Sequence, residues 1–349
     1  MNQQTGGIDV GVFDHWHPVV ASSKLRQKPI GIMLGGKEFV LFRGAGGKIG
    51  AMEDCCVHRR ARLSRGSVIN GKLQCSYHGW QYDTTGQAES PGTPKLRVCA
   101  HAFDTAEKHG YVWMKRAGAQ AVIPEFDLAG YEYVCARDYM VPAPLEVVLD
   151  NFTEVEHTPT THANFGYDLS KMAEVRTTVE QSTDTVRVIN TGPQKKTPWV
   201  VQQLAGLKTG DIFTDDWVTY FSPVYTQYEQ FWNDPKTGAE RRDRYRIYVF
   251  FNPIDQDRTE LVVFAYLRAR TAARAAFIKL TRPLLSLIVH IEIVCDVKML
   301  SSLADKSPEL HGMKLSRFDR VLGLNRDRIQ SIYRGESPTS SVSVPTIQA

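Results

Sequence analysis

Two pairs of cysteine and histidine stand close together in the N-terminal part of the sequence. Cys56 and His58 frame one short segment, and Cys75 and His78 frame a second, so two loops can each offer a thiolate and an imidazole. Thiolates bind soft metals and clusters, whereas imidazole binds zinc, iron or copper. The spacing therefore predicts a four-ligand metal site. On spacing alone, a tetrahedral structural zinc and a [2Fe–2S] cluster with two imidazole ligands are equally good interpretations.

A second group of ionisable residues lies near the middle of the chain. Asp150, Glu154 and His157 are spaced four and three residues apart, so on a helix they would form one stripe. A regular helix would turn His162 away from His157, but Pro159 interrupts the hydrogen-bond ladder between them. A distorted turn could then bring both imidazoles to one ion. By themselves these residues fit an ordinary solvated helix face equally well.

The composition excludes several classes of function. The chain has 349 residues and a net charge of +4, with its Lys and Arg residues spread along it, which does not match a nucleic-acid-binding protein. The N-terminal residues lack the order of a secretory signal, and no apolar run is long enough for a membrane span. We therefore expect a cytoplasmic protein whose clustered cysteines bind metal rather than form disulfides. The mild positive charge suits a solvated surface or a patch that docks an acidic redox partner.

The first third of the sequence has the pattern of a small β domain. Short β-like runs are punctuated by glycine pairs, and Asn70-Gly71 is a strong signal for a tight turn. We expect an all-β unit over about residues 10–118. At the other end of the chain, the tail from Ser337 lacks core-forming residues and is expected to be disordered.

The remainder of the chain combines helical and strand periods. A helix is predicted over residues 145–157, and residues 271–303 predict a long helix in which Pro283 should cause a break or kink. Antiparallel strands are predicted over residues 226–232, 243–252 and 259–268. Four aromatic residues are candidates for a pocket, although aromatic residues on strands more often pack in a core; they are Tyr220, Tyr225, Tyr228 and Trp232.

The first metal-site region resembles the Rieske loops of ring-hydroxylating and demethylating oxygenases. The matching features are a Cys-x-His-Arg opening, a Leu-Ser-x-Gly segment after it, and a Cys-x-x-His-Gly-Trp-x-Tyr-Asp closure. This resemblance implies a Rieske [2Fe–2S] cluster, with the ligands Cys56, His58, Cys75 and His78. Cys55 could also form a Cys-x-x-His pair with His58. The family pattern favours Cys56 and leaves Cys55 as a buried small residue.

The second group resembles the mononuclear iron motif of the same family. The family reads D/E-x3-D-x2-H-x4-H, and this chain reads D-x3-E-x2-H-x4-H. By this resemblance His157 and His162 are two ligands of an Fe(II) ion. The family places the third ligand, an aspartate, in a late helix, where Asp296 fits and Glu292 is the alternative. Two histidines and one carboxylate leave positions open for O2.

One position departs from the family motif. Glu154 stands where the family usually has aspartate, at a residue that hydrogen-bonds a cluster histidine of one subunit and an iron-ligand histidine of the next. Glutamate keeps the acceptor and adds one methylene group. The resemblance therefore implies a catalytic, bridging role for Glu154, and Asp150 of the same motif is the other candidate for this role.

The resemblance covers roughly residues 10–335 and implies an α+β protein of two domains. These are an N-terminal all-β Rieske domain over residues 10–120 and a catalytic domain over residues 121–336, with residues 337–349 as a disordered tail. The catalytic domain is expected to have the helix-grip, START-like fold, in which an antiparallel sheet wraps around a long helix.

The resemblance also implies the chemistry and the partners. We expect a homotrimer that receives NAD(P)H-derived electrons from a ferredoxin or flavin reductase and uses O2 to hydroxylate or demethylate a small aromatic or cyclic substrate. The alternatives are a cis-dihydroxylating dioxygenase and, from another class, a Rieske electron-transfer or binding protein without oxygenase chemistry. A second iron site distinguishes the oxygenases from that last class.

Overall fold

The computed structural model describes residues 11–335, and the tail expected to be disordered lies outside them. The chain divides into two compact units. The first runs up to Ile123 and also includes Asn252–Gln256, and the second comprises Pro124–Phe251 and the residues from Asp257 onward. The first unit is built of strands and the second combines helices with a large antiparallel sheet. The α+β fold expected from the sequence is therefore confirmed.

The first unit consists of short antiparallel strands. They are β1 (His17–Ala21), β2 (Ile30–Leu34), β3 (Lys37–Arg43), β4 (Ile49–Glu53), β5 (Ser67–Ile69), β6 (Lys72–Gln74), β7 (Gln81–Tyr82), β8 (Gln87–Glu89), β9 (Val98–Cys99), β10 (Phe103–Lys108) and β11 (Tyr111–Arg116). Three sheets form, in the orders β1-β11-β10, β2-β3-β4 and β5-β6-β7-β8-β9. The five-stranded sheet carries the two cysteine-histidine loops, since one precedes β5 and the other joins β6 to β7.

The contacts of the segment before β5 explain why the Leu-Ser-x-Gly motif contains these residue types. Leu63 is fully buried, and Ser64 donates its N–H (2.7 Å) and its hydroxyl (2.5 Å) to the carboxylate of Asp54. At Gly66 an added Cβ would lie 2.1 Å from the carbonyl oxygen of Gln74. Only glycine therefore permits this close approach of two backbones. These contacts hold the first cysteine-histidine loop against the sheet.

The second unit is organised around a seven-stranded sheet in the order β12-β18-β17-β16-β15-β14-β13. Its strands are β12 (Tyr131–Val141), β13 (Arg176–Gln181), β14 (Thr185–Pro193), β15 (Ile212–Phe221), β16 (Val224–Asn233), β17 (Glu240–Pro253) and β18 (Thr259–Arg268). Its helices are α1 (Leu145–Phe152), α2 (Thr158–Thr161), α3 (Trp199–Ala205), α4 (Ala272–Ser302) and α5 (Arg320–Arg328). A π-helical turn, Ile329–Tyr333, follows α5.

The long helix α4 packs on the sheet in the manner of a helix-grip fold. Arg137 of β12 donates to the Ser286 hydroxyl at 2.9 Å, and the Tyr139 hydroxyl lies 3.1 Å from Nδ1 of His290. Of the break or kink predicted at Pro283, the break does not occur, because α4 remains one helix of 31 residues. Pro283 and Lys279, whose carbonyl loses its helical partner, are both exposed, so water can satisfy that oxygen.

The helix predicted over residues 145–157 is wrong at its C-terminal end. Helix α1 ends at Phe152, because Thr153 leaves the helical backbone region at φ −124°. The Thr153 hydroxyl donates to the carbonyl of Leu149 at 2.8 Å. His157 is the N-cap residue of the separate helix α2. The chain from Glu154 to His157 is therefore a turn, and it directs these side chains differently from a continuous helix.

Candidate metal centres and substrate cavity

The two cysteine-histidine loops repeat one backbone design. In each, the N–H of Cys56 or Cys75 donates to the carbonyl five residues later, at 2.8 Å. Each cysteine carbonyl accepts the N–H of the residue four positions later, Arg60 (2.8 Å) or Gly79 (3.1 Å). Both of these residues have positive φ, 58° and 72°, which glycine adopts freely and arginine at a cost. The repeat gives the two thiols equivalent backbone settings.

The four predicted cluster ligands divide into buried thiols and exposed imidazoles. Cys56 and Cys75 are each 2% exposed and share one apolar cluster, whereas His58 and His78 are exposed. The rings of the two histidines have their centroids 4.6 Å apart. This donor set fits a [2Fe–2S] cluster with thiolates on one iron and imidazoles on the other. The assignment of each ligand stays a prediction.

Two aromatic residues of the closing motif support these loops. The Tyr82 hydroxyl donates to Sγ of Cys56 at 3.1 Å and accepts the N–H of Val57 at the same distance. Trp80 stacks on His58 with ring centroids 5.1 Å apart and an interplanar angle of 13°. Hydrogen bonds to cluster sulfurs help to set a cluster's reduction potential. The sequence motif contains both residues, but only the structure shows what they contact.

The expectation that Cys55 is a buried small residue is wrong. Its side chain is exposed, whereas the next residue, Cys56, is buried. The chain bends directly after strand β4, where the N–H of Cys55 donates to the carbonyl of Glu53 at 2.7 Å. Cys55 is therefore directed away from the apolar cluster that holds Cys56 and Cys75.

Three donor atoms converge in the second unit. The Nε2 atoms of His157 and His162 lie 3.0 Å apart. Oδ1 of Asp296 lies 3.3 Å from the first and 3.1 Å from the second. The two histidines flank α2, and Asp296 projects from α4. The structure therefore brings together the three residues predicted as iron ligands, which we name the triad.

The size of the triad fits an octahedral ion. Three donors at neighbouring octahedral positions, each about 2.1 Å from the ion, lie roughly 3.0 Å apart, whereas tetrahedral donors at that bond length lie roughly 3.4 Å apart. The distances of 3.0, 3.1 and 3.3 Å favour the octahedral arrangement. Two imidazoles and a carboxylate on one face of an octahedron are typical of non-haem Fe(II) sites with open positions.

Each triad histidine has a carboxylate on its other ring nitrogen. Glu154 binds Nδ1 of His157, and Oε2 of Glu292 lies 3.0 Å from Nδ1 of His162. Such contacts fix the orientation and tautomer of a metal-binding imidazole and raise its basicity. The contact of Glu154 with His157 was expected from the sequence. Glu292, the alternative ligand, instead lies behind His162.

Sequence reasoning missed the polar residues that hold this arrangement. Asn164 donates to Glu292 through its N–H (3.0 Å) and its side-chain amide (2.6 Å). Lys195 donates to the carbonyl of His162 at 2.6 Å. Asn151 donates to Oδ1 of the triad carboxylate at 3.0 Å. Asn164 and Lys195 lie far from their partners along the chain, so no local spacing could reveal their roles.

Asp150 does not join the triad. Its carboxylate pairs with Arg326 of α5, and burial raises its pKa to about 7 although Arg326 opposes this. The predicted stripe of Asp150, Glu154 and His157 does not form, because α1 ends before Glu154. The structure therefore places Asp150 in a buried ion pair and Glu154 at the site.

The electrostatic potential at the triad favours a cation. Burial opposes protonation of both imidazoles, but Glu154 and Asp296 raise the pKa of His157 to about 9. Asp296 and Glu292 raise the pKa of His162 to about 10 against the same effect. Burial also opposes ionisation of Asp296, yet the two histidines hold the pKa of this carboxyl well below its usual range. The carboxylates that stabilise imidazolium would also stabilise a divalent metal ion.

The triad forms part of the wall of a cavity within the second unit. The remaining wall is largely apolar and aromatic, and includes Phe152, Phe165, Trp217, Ile247, Val249 and Val289. Of the four aromatic residues proposed from the sequence, Tyr228 lines the cavity. Tyr220 and Tyr225 stack on each other, and Trp232 packs against Phe213. An apolar cavity with a few polar groups is the usual form of a small-molecule site.

Two family descriptions match the chain. "Rieske [2Fe-2S] domain" matches residues 15–100, and "Vanillate O-demethylase oxygenase C-terminal domain" matches residues 141–290. Together the two matches span more than half of the chain. They define its class as a cluster-binding domain followed by an oxygenase catalytic domain. The chain belongs to the family of Rieske oxygenase alpha subunits, and its N-terminal domain is a [2Fe–2S] domain.

Similar curated proteins support the same family. Vanillate O-demethylase oxygenase subunit of Pseudomonas sp. (strain ATCC 19151) is 34% identical over 163 residues, which are 42% of this chain and 48% of that protein. Chlorophyllide a oxygenase, chloroplastic, of Oryza sativa subsp. japonica is 33% identical over 155 residues, or 43% of this chain and 28% of that protein. The matched region thus spans half or less of each relative.

Solved structures show the fold over nearly the whole chain. Dicamba monooxygenase bound to 3,6 dichlorosalicylic acid has a TM-score of 0.77 at 18% identity, covering 93% of this chain and 98% of that one. Pseudomonas putida CBB5 NdmA with caffeine has a TM-score of 0.69 at 21% identity, covering 90% of this chain and 89% of that one.

In the part of the chain that the structure describes, none of the helices combines the length and apolarity of a membrane span.

Proposed function

We propose that the protein is a Rieske non-haem iron monooxygenase that hydroxylates or oxidatively demethylates a small aromatic or cyclic substrate. The observation that carries this proposal is the triad of His157, His162 and Asp296 in the wall of an apolar, aromatic cavity. A protein that only transfers electrons has no need of a second metal site open to a cavity. The demethylase and monooxygenase names of the relatives support the same reaction class.

Each predicted ligand has a definite part in this proposal. Cys56, His58, Cys75 and His78 hold the cluster, and the triad holds one Fe(II) ion. A bound iron of this type offers open positions at which O2 can be activated. The protein itself orients the imidazoles through Glu154 and Glu292, and the apolar wall excludes water from the substrate. Asp150 has no place in this scheme beyond its ion pair with Arg326.

The proposal includes the partners expected from the family. A separate reductase, with or without a ferredoxin, supplies NAD(P)H-derived electrons. A homotrimer in the cytoplasm is the expected state of the protein. In such a trimer the exposed histidine edge of the cluster loops would meet the bridging glutamate of the neighbouring subunit, since His58 and His78 are at the surface of the described chain while both thiols are buried.

The test is turnover of a panel of methoxylated and N-methylated aromatic compounds by the iron-loaded protein, with NADH and a ferredoxin reductase, under 18O2. Monooxygenation predicts product with one labelled oxygen, or loss of a methyl group as formaldehyde. Product with two labelled oxygen atoms would instead assign cis-dihydroxylation. Cluster reduction without O2 consumption or product from any compound would leave only electron transfer.

A further inference from the structure

Three neighbouring strands place a row of polar side chains in the cavity wall. Asp215 of β15 lies directly opposite Gln230 of β16, and Gln230 lies opposite Tyr245 of β17. Directly opposed residues of antiparallel strands point to the same face of the sheet. All three residues line the cavity, as does Trp217, two positions after Asp215 on the same face. We name these four residues the polar row.

Three polar atoms of this row have no hydrogen-bond partner among the described residues. They are Oδ1 of Asp215, Nε1 of Trp217 and the hydroxyl of Tyr245. Asp215 is 6% exposed, and Trp217 and Tyr245 are each 2% exposed. A buried polar group without a partner destabilises the folded protein, and native proteins seldom leave such groups unmatched. Three such atoms on residues that line one cavity point to a ligand that supplies the partners.

Two other buried aspartates, one in β17 and one just before β15, show the contacts of an aspartate with a purely structural role in this unit. Asp243 pairs with Arg274, and Asp211 pairs with Arg241. Asp215 has no arginine or lysine within ion-pair distance in the described chain. Its neighbour Asp216 points to the opposite face and binds Arg187 through two hydrogen bonds of 2.9 and 2.8 Å. Asp215 is therefore the buried aspartate left available to a ligand.

The chemistry of the polar row defines the ligand. A carboxyl oxygen accepts an N–H or O–H, while an indole N–H and a phenol hydroxyl donate to an oxygen. A substrate that carries a hydrogen-bond donor beside a carbonyl oxygen can donate to the carboxyl oxygen and accept from the indole and phenol groups. A substrate carboxylate would instead meet the carboxyl group of Asp215 in a poorly solvated cavity, where like charges repel strongly.

We propose that Asp215, with Trp217 and Tyr245, determines substrate specificity by binding the carboxamide or lactam group of a neutral aromatic or cyclic substrate and by excluding aromatic carboxylates. This inference rests on the proposed oxygenase function for the meaning of the cavity. It names the substrate class of that same site. Asp215 acts here as a specificity-determining residue, and the triad remains the centre of the reaction.

The test compares matched amides and acids by calorimetry on the anaerobic holoenzyme with both metals bound. The probes are benzamide and benzoate, 2-methoxybenzamide and 2-methoxybenzoate, and nicotinamide and nicotinate, measured at pH 8. At least one amide should bind ten-fold or more tightly than its acid. Asp215→Asn, which keeps the size and removes the charge, should bind the acids at least ten-fold better and so reduce this ratio.

Asp216→Asn is the matched control, since it removes an acid from the same strand on the opposite face. It should leave the ratio unchanged, and iron analysis should show both metals in each variant. Acids that bind as tightly as the amides, the absence of binding by every amide, or an unchanged ratio in Asp215→Asn would overturn the proposal. Amides that bind selectively while the separate 18O2 turnover test gives no O2 consumption or product from any compound would refute the oxygenase function and leave the binding specificity intact.

Discussion

The cluster loops and the triad position their metal ligands by different means. The cluster ligands come from two loops that repeat one backbone pattern within a short stretch of one sheet, and the glycine or glycine-like turns are part of that pattern. The triad joins His162 to Asp296, 134 residues further along the chain. One site is therefore built by local backbone geometry, and the other by the packing of α2 against α4.

The two sites also differ in exposure. The imidazoles of the cluster loops are at the surface of the described chain, whereas the triad carboxylate is 3% exposed and lies in a cavity wall. Electron transfer between proteins needs a redox group near a surface. Oxygen chemistry needs a site from which water and reductants are excluded. Under the proposed function, the difference in exposure therefore matches the task of each metal.

The largest expected effect is loss of the cluster without loss of the triad metal. Cys75→Ala should remove the visible absorption of the cluster and about two of the three iron atoms per chain, because the thiolate is a first requirement for cluster binding. Iron analysis and the absorption spectrum measure this. Cys55→Ala is the control and should retain both. If Cys55→Ala loses the colour and Cys56→Ala keeps it, the ligand assignment is wrong by one position.

A change in the triad should have the opposite result, which is loss of the triad iron with retention of the cluster. Asp296→Ala should lose about one iron atom per chain and all oxygenation, and it should keep the cluster spectrum. Glu292→Gln keeps the size of the side chain and weakens the support of His162, so the affinity for the triad iron should fall by about 10–100-fold. Titration of Fe(II) into the metal-depleted triad measures the difference. Complete loss of iron in Glu292→Gln with retention in Asp296→Ala would exchange their roles.

Glu154→Gln tests whether electrons pass from the cluster to the triad through Glu154, which binds Nδ1 of His157. The variant should bind both metals and accept electrons at its cluster, yet oxidise pre-reduced clusters at least about ten-fold more slowly in a single turnover with substrate and O2. Asp150→Asn is the comparison, since its partner is Arg326. Near-normal cluster oxidation in Glu154→Gln would restrict Glu154 to holding the imidazole.

The buried carboxyl of Asp215 should reduce the stability of the protein at alkaline pH. Burial raises the pKa of Asp215 to about 7, so folding favours the protonated carboxyl, and this contribution is lost as the pH rises through 7. Asp215→Asn cannot ionise and should therefore be more stable than the parent by about 1–3 kcal/mol at pH 8, with a smaller gain at pH 5. Chemical unfolding at both values measures this. An equal gain at both pH values would contradict the shift.

The smallest expected effect tests the repeated backbone of the cluster loops. Arg60→Gly should stabilise the protein by up to about 1 kcal/mol and Gly79→Ala should destabilise it by about 1 kcal/mol, because both positions have positive φ. Thermal unfolding of the cluster-loaded protein compares them. If both substitutions had the same sign, the two loops would not be equivalent.

The sequence by itself determined the features that depend on neighbouring residues. The cysteine-histidine spacing and the glycines around it predict the cluster loops, because loop geometry is set within a few residues. The His157 and His162 pair was visible for the same reason. The fold class followed from periodicity, since strand and helix periods are local.

Only the tertiary structure decided the features that depend on distant contacts. The side chain of Asp150 pairs with Arg326, 176 residues further along the chain, and so takes no part in the triad. Packing of α4 chose Asp296 for the triad and placed Glu292 behind His162. Sheet register brought Asp215 into the cavity wall, where no lysine or arginine of residues 11–335 pairs with it. None of these follows from local spacing, because each is fixed by a side chain that arrives from elsewhere in the fold.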